Sequence, residues 1–166
     1  MDNDNGTPAR SPRHAPERAL LQGSLDNQRT ALLRKLDGLD TEQATRCLVP
    51  SATTLLGLVK HCMDVEGWWF RVVMDGQEAP PEEEFDPLST WRIEPGETVD
   101  ALVAAYRAEA AECARAVACY DLNDVSRRAG PTATLRWIYI HMIEELARHC
   151  GHADILRELT DGATGV

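Results

Sequence analysis

Four stretches of this chain repeat apolar residues every three or four positions, and nowhere does a strict alternation of apolar and polar residues persist. A period of 3.6 residues places side chains on one face of an α-helix, whereas a half-buried strand needs a period of two. The pattern therefore predicts an all-α fold in which four amphipathic helices pack as a four-helix bundle. A chain of 166 residues has the length of one domain with its own core.

Glycines, prolines and polar turns separate the predicted helices, which lie at residues 17–39, 51–76, 98–120 and 132–162. Ser51 is the predicted N-cap of the second helix. The Pro- and acid-rich residues 77–97 and the residues 121–131 are predicted loops. We expect residues 18–162 to form the bundle and residues 1–17, which are polar and aperiodic, to form a disordered N-terminal arm.

The charge and the cysteines narrow the functions that are open to the chain. Its net charge is −10 without a basic cluster, so nucleic acids and anionic membranes are disfavoured as partners. Its apolar runs are shorter than a membrane span needs, and MDNDNGTPARSPRHAPER lacks the apolar middle expected of a signal peptide. Its five cysteines are odd in number and include no CxxC pair, which indicates reduced thiols. We expect a cytoplasmic protein with a small-molecule substrate and the capacity to form a homodimer.

The segment HMIEELARHCGH carries three of the five histidines. Glu145 and His149 are one helical turn apart, so a carboxylate and an imidazole can point at the same place. His141 and His152 extend this polar strip over about three turns. Such a strip is more often a solvated helix face than a metal site, and two side chains of one helix hold a metal only weakly.

A metal site would need a third ligand from another helix, and the candidate is His61 in KHCMDVEGWWF. A lone histidine at the inner edge of a bundle is more often an ordinary core residue. In combination, however, this stretch and HMIEELARHCGHADILRE resemble the DinB-like superfamily, in particular its uncharacterised, largely actinobacterial branch. The resemblance covers most of residues 18–160.

The resemblance implies a four-helix bundle of the DinB type with a divalent metal held by three side chains. In many members the fourth helix supplies His-x-x-x-His; here Glu145 stands at the first of these positions and His149 at the second. With His61 from the second helix, the set is similar to that of the metal-binding domain of mycothiol-dependent maleylpyruvate isomerase. Zinc is the first expectation for the metal, with nickel, manganese and iron as alternatives.

The same resemblance implies thiol chemistry. A thiol bound to a zinc ion at such a site would lose its proton and become a nucleophile. We therefore expect a metal-dependent thiol S-transferase or isomerase that uses mycothiol or a similar low-molecular-weight thiol. His152, His141 and Asp64 are candidates for catalytic proton transfer or orientation, and Arg148 for binding an anionic cofactor or substrate. The alternative is a non-catalytic metal-binding or dimerisation bundle with a structural or stress-related role.

Overall fold

The structure, a computed structural model, describes residues 13–79, 89–128, 130 and 132–164. Most of the predicted N-terminal arm lies outside these residues, and Glu17, its last residue, already belongs to the first helix. The long helices are α1 (Glu17–Arg34), α3 (Leu55–Gly67), α4 (Val99–Ala116) and α5 (Leu135–Asp161), with the short α2 (Thr41–Ala44) between α1 and α3. The described residues contain no strand, only one bridge between Val125 and Thr134. The prediction of an all-α bundle is confirmed.

α5 is the central helix of the bundle, because it packs on both α1 and α3, and α3 in turn packs on α4. Its buried face contains the residues that the apolar pattern predicts: Leu135, Ile138, Met142 and Leu146. Further along, Ala153 and Leu156 continue this face, while Ile155, which lies between them on the outer side, is 58% exposed. In the described part of the chain, no helix is both long and apolar enough to span a bilayer.

Helix ends differ from the predicted ones by a few residues. The N-cap of α3 lies three residues after the predicted Ser51. Thr54 has the extended backbone of an N-cap, and its Oγ1 accepts the amide of Gly57 at 3.1 Å. α1 ends at Arg34, and the turn that follows closes at Gly38, whose φ of +77° suits glycine. Asp40 and Gln43 form a capping box that starts α2, a helix that the apolar pattern does not predict.

α3 continues beyond Gly67 as a π-helix over Trp68–Met74. The wider winding appears in the backbone hydrogen bond from Asp75 N to Phe70 O, five residues back. Phe70 and Met74 enter the core here. Trp69 turns toward α5, where its ring lies 5.2 Å from that of Trp137.

A buried ion pair connects three of the long helices. Arg29 of α1 donates two hydrogen bonds to the carboxylate of Glu66 in α3, with Nε 3.1 Å from Oε2. The hydroxyl of Tyr106 in α4 donates to the same Oε2, also at 3.1 Å. Glu66 is fully buried, so these donors satisfy a carboxylate that water cannot reach.

Candidate metal centre

A narrow cleft of about 150 Å³, including its open mouth, lies between α3 and α5. Three of its lining residues are the predicted metal ligands, His61 from α3 and Glu145 and His149 from α5; the others are Cys62, Val65, Met142 and Leu146. Because successive turns of α5 place Glu145 and His149 on one face, His149 Nε2 lies 3.5 Å from Glu145 Oε2. The structure therefore brings the three predicted ligands to one place.

The three side chains are neighbours but do not form a closed coordination shell. The rings of His61 and His149 lie edge to face, with centroids 5.2 Å apart and planes at 82°. Within the described residues, no group of three or more His, Cys, Asp or Glu side chains is arranged so that it could hold a metal ion as it stands. A bound ion would therefore require these side chains to move toward a common point.

Both imidazoles of the cleft are neutral near pH 7. Burial, with a smaller effect of the neighbouring His149, lowers the pKa of His61 to about 4, and Glu145 opposes these effects only in part. Burial also lowers the pKa of His149, against the raising effect of Glu145. A neutral imidazole has a lone pair free for a metal, so proton competition at these two nitrogens is weak.

Glu145 is the negative group of the cleft. Its burial favours the protonated form, but the hydrogen bond and charge of Arg148 outweigh it and keep the pKa of Glu145 below its usual range. Arg148 Nη1 lies 2.5 Å from Glu145 Oε1. The i, i+4 spacing predicts a pair between Arg148 and Glu144 instead; the structure replaces it by this i, i+3 pair.

One nitrogen of the cleft lacks any partner. His149 is 9% exposed, and its Nδ1 is buried without a hydrogen bond. A buried polar atom that stays unpaired costs about 1–3 kcal/mol. Such an atom in a histidine beside a second histidine and a carboxylate is the local feature that most favours a ligand role for this cleft.

The other predicted site residues lie around the cleft rather than in its lining. The ring of His141 stacks on Trp137, with centroids 4.8 Å apart, and meets the edge of Trp69. The exposed His152 has its ring centroid 5.6 Å from that of His149. Asp64 is half-buried, and the charges that act on it are those of Lys60, Glu97 and Glu109, which place it on the α4 side of α3.

Two residues of the predicted loop 77–97 contact the site, although the sequence pattern does not single them out. They lie in a short 3-10 turn, Ser89–Trp91. Trp91 stacks on His61 with ring centroids 3.9 Å apart, and Thr90 Oγ1 lies 3.2 Å from His61 Nδ1. The only signal in the sequence is an aromatic residue beside a hydroxyl in an otherwise acidic loop.

Cys62 lines the cleft next to His61, but its chemistry is that of a core residue. It is 1% exposed, and burial raises the pKa of its thiol far above the usual range, with Cys150 adding to the effect. The thiol therefore stays protonated at neutral pH. All five cysteines are free, as expected for a reduced protein.

A much larger groove lies between α1 and α4, with about 1060 Å³ of empty space including its open mouth, against about 150 Å³ for the cleft. Two of its donors are already engaged, because Arg29 and Tyr106 in its lining bind the buried Glu66. The residues that line it include no histidine or cysteine. By size alone this groove would be the candidate functional site. The metal-binding side chains, however, lie in the smaller cleft between α3 and α5, which is therefore the better candidate.

Comparison with known proteins shows the fold and the family of the chain. A crystal structure described as the conserved protein of locus from Enterococcus faecalis superposes with a TM-score of 0.64 at 17% sequence identity, over 90% of this chain and 100% of the other, which shows a shared fold. No match was found among curated proteins. The family model described as mycothiol-S-transferase matches residues 20–162. Since this match includes all four long helices and every residue of the cleft, the chain belongs to the mycothiol-S-transferase family, a DinB-like family.

Proposed function

We propose that this chain is a metal-dependent enzyme that activates a low-molecular-weight thiol, mycothiol in the first place, at a divalent ion held by His61, Glu145 and His149. The observation that carries the proposal is the meeting of these three side chains in one cleft, where His149 Nδ1 is buried and unpaired. Membership of the mycothiol-S-transferase family is the reason for proposing mycothiol as the thiol. Zinc is the preferred ion, since two imidazoles and a carboxylate are a donor set of catalytic zinc sites.

The donor chemistry of the cleft fits such an ion. Both imidazoles are neutral and Glu145 is ionised near pH 7, which are the protonation states that metal binding requires. When bound, a divalent ion with three protein ligands supplies an open position at which a thiol loses its proton at neutral pH. The mouth of the cleft on α5 carries the exposed guanidinium of Arg148, which can pair with an anionic group of the thiol or of its acceptor.

The supporting residues have separate proposed roles. His152 is exposed beside His149, where its imidazole can accept the proton that the thiol releases. The ring of His141 contacts those of Trp69 and Trp137. It lies one helical turn from Glu145 and helps to lower the pKa of that carboxyl group. Asp64 faces Lys60 and the acidic residues of the α4 side, so its contribution is to the charge around α3 rather than to direct proton transfer.

Metal content and thiol consumption test the proposal. We expect protein purified without chelator to contain about one zinc ion per chain, by analogy with three-ligand catalytic sites. His61→Gln and His149→Gln should lose this metal and the consumption of mycothiol in the presence of an electrophile. The exposed His152→Gln is the matched control: it should keep the metal and lose only turnover.

The proposal fails if the protein is metal-free and added zinc or nickel changes neither its melting temperature nor thiol consumption. A second candidate, a non-catalytic bundle, is favoured by one observation: Glu145 is already paired with Arg148 at 2.5 Å. A metal that binds without any thiol reaction would support that candidate, and measurement of the oligomeric state would then test a dimerisation role.

A further inference from the structure

The 3-10 turn Ser89–Trp91 lies directly against α3, one helical turn before His61. Gly57 makes this approach possible, because a Cβ at that position would lie 2.4 Å from the main-chain oxygen of Trp91. No real side chain tolerates such a distance to a backbone atom. The glycine therefore allows the turn and the helix to touch.

A lysine fixes the same segment from a neighbouring position of α3. Lys60 Nζ donates to the carbonyl oxygen of Arg92 and to the carboxylate of Glu97, each at 2.9 Å. The segment is thus attached to the helix at Gly57 and at Lys60. Both attachments lie within about one helical turn of His61, on its N-terminal side.

Two side chains of the turn contact the His61 ring, one at its face and the other at its Nδ1 atom. The indole of Trp91 covers its face, with centroids 3.9 Å apart and planes inclined by 16°. The hydroxyl of Thr90 lies 3.2 Å from Nδ1. Because Thr90 occupies Nδ1, Nε2 is the nitrogen that remains for a ligand, and the hydrogen bond of one imidazole nitrogen sets what the other can bind.

We propose that Thr90 and Trp91 are positioning residues for His61, an inference that rests on the metal site proposed above. Thr90 accepts the proton of Nδ1 and so holds the tautomer in which Nε2 carries the lone pair. Trp91 holds the plane of the ring so that this lone pair faces the cleft. The loop that separates α3 from α4 is then part of the metal centre, although it supplies no ligand.

Two measurements on the same set of variants test this inference. The first is the tautomer of His61 in metal-free protein, read from the ¹⁵N shifts of its ring nitrogens in long-range ¹H–¹⁵N spectra. The second is the Kd for zinc, measured by competition with a chromogenic chelator. Thr90→Val removes the acceptor while keeping the shape of the side chain, Thr90→Ser keeps the hydroxyl, and Trp91→Leu removes the stacked ring.

In the wild type we expect a single Nδ1–H tautomer. Thr90→Val should convert it to a mixture and raise the Kd for zinc about 10- to 100-fold, the usual effect of losing a partner of a metal-binding histidine. Thr90→Ser should keep both wild-type values, and Trp91→Leu should raise the Kd while leaving the tautomer unchanged. Thr53→Val and Trp68→Leu are matched controls that lie away from His61 and should change neither readout.

The inference is overturned if His61 is a mixture of tautomers in the wild type, or if Thr90→Val leaves both the tautomer and the Kd unchanged. The metal proposal fails in a different way. Suppose that the wild type binds no zinc but has a single His61 tautomer, and that Thr90→Val has a mixture of the two tautomers. Thr90 then positions the ring, and the proposed metal function is wrong. A change in Kd with an unchanged tautomer would assign the effect to loop packing and reject the hydrogen bond as its cause.

Discussion

The half-buried carboxyl group of Asp64 has an unusual protonation equilibrium. Its pKa is raised from 3.8 to about 6, mainly by burial and also by the charges of Glu109 and Glu97, while Lys60 opposes the shift. Between pH 4 and pH 6 the unfolded chain therefore loses this proton before the folded chain does, so the contribution of Asp64 to stability falls as pH rises. Above about pH 6 this loss of folding stability is complete.

We accordingly expect Asp64→Asn to be more stable than the wild type at pH 7.5 and to differ much less from it near pH 4. Urea unfolding at the two pH values measures this difference. Asp37→Asn, the same change at an exposed turn, is the matched control for replacing a carboxylate by an amide. An Asp64→Asn protein that loses stability at pH 7.5 would contradict the assigned protonation state, and a loss of turnover without loss of metal would restore a catalytic role to Asp64.

The residues of the candidate site differ in how far a sequence can predict them. Glu145 and His149 follow from local spacing, since residues four apart on a helix share a face whatever the rest of the chain does. His61 follows from the family resemblance, because no periodicity relates residues 80 or more positions apart. Thr90 and Trp91 could not be predicted, since their contact with His61 depends on how a loop without periodicity folds back onto α3.

Two glycines inside helices predict opposite effects of the same substitution. At Gly57 a Cβ would meet the main-chain oxygen of Trp91 at 2.4 Å, whereas at Gly151 nothing lies within 4 Å of the added Cβ. We expect Gly151→Ala to stabilise the protein by about 0.5–1 kcal/mol, the ordinary gain in a helix interior. Gly57→Ala should forfeit that gain, because the turn must move away from α3, and it should weaken zinc binding through His61.

Thermal unfolding and zinc titration of the two alanine variants check this pair. Since both changes are Gly→Ala in a helix, most of the helix propensity cancels in the comparison. The difference then reports what the added Cβ meets at position 57, which is the main chain of Trp91 and, at 2.9 Å, the hydroxyl oxygen of the N-cap Thr54. If Gly57→Ala is as stable as Gly151→Ala and binds zinc like the wild type, the turn does not depend on close approach to α3.

The helices themselves follow from the 3.6-residue period, but their ends do not. Ser51 and Thr54 are both good N-cap residues by type, and the choice of Thr54 depends on where the chain leaves the preceding turn. The π-helical continuation of α3 has no signal in the apolar pattern, because it changes the winding and leaves the residue types apolar. α2 has a signal, the pair Asp40 and Gln43, but a four-residue helix is too short for a period to show.

The bundle as a whole depends on the buried Arg29–Glu66 pair, which connects α1 to α3 and, through Tyr106, to α4. Arg29→Met would leave Glu66 buried and unpaired, so we expect a loss of about 3–5 kcal/mol in the free energy of unfolding. The double variant Arg29→Met/Glu66→Gln should recover much of this loss, because no charge stays buried. Urea unfolding measures both. A loss below about 1 kcal/mol for Arg29→Met would mean that the pair behaves like an exposed one.

Metal binding should stabilise the whole fold, because the three proposed ligands lie on α3 and α5, which pack against each other in the bundle. At free zinc 100 times the Kd, binding to the folded state alone contributes about 2.7 kcal/mol, and the melting temperature should rise by several degrees. His149→Leu separates this effect from ordinary packing. It removes a buried nitrogen that has no partner in the metal-free protein, a relief of about 1–3 kcal/mol.

In chelator, therefore, His149→Leu should melt above the wild type, whereas with zinc the order should reverse, since the variant has lost a ligand. His152→Leu, at an exposed neighbour of the site, should follow the wild type under both conditions. If zinc raises the melting temperature of His149→Leu as much as that of the wild type, the ion binds elsewhere. A reversal of order would show that the fold gives up stability at His149 in its metal-free state because that nitrogen is kept for a metal.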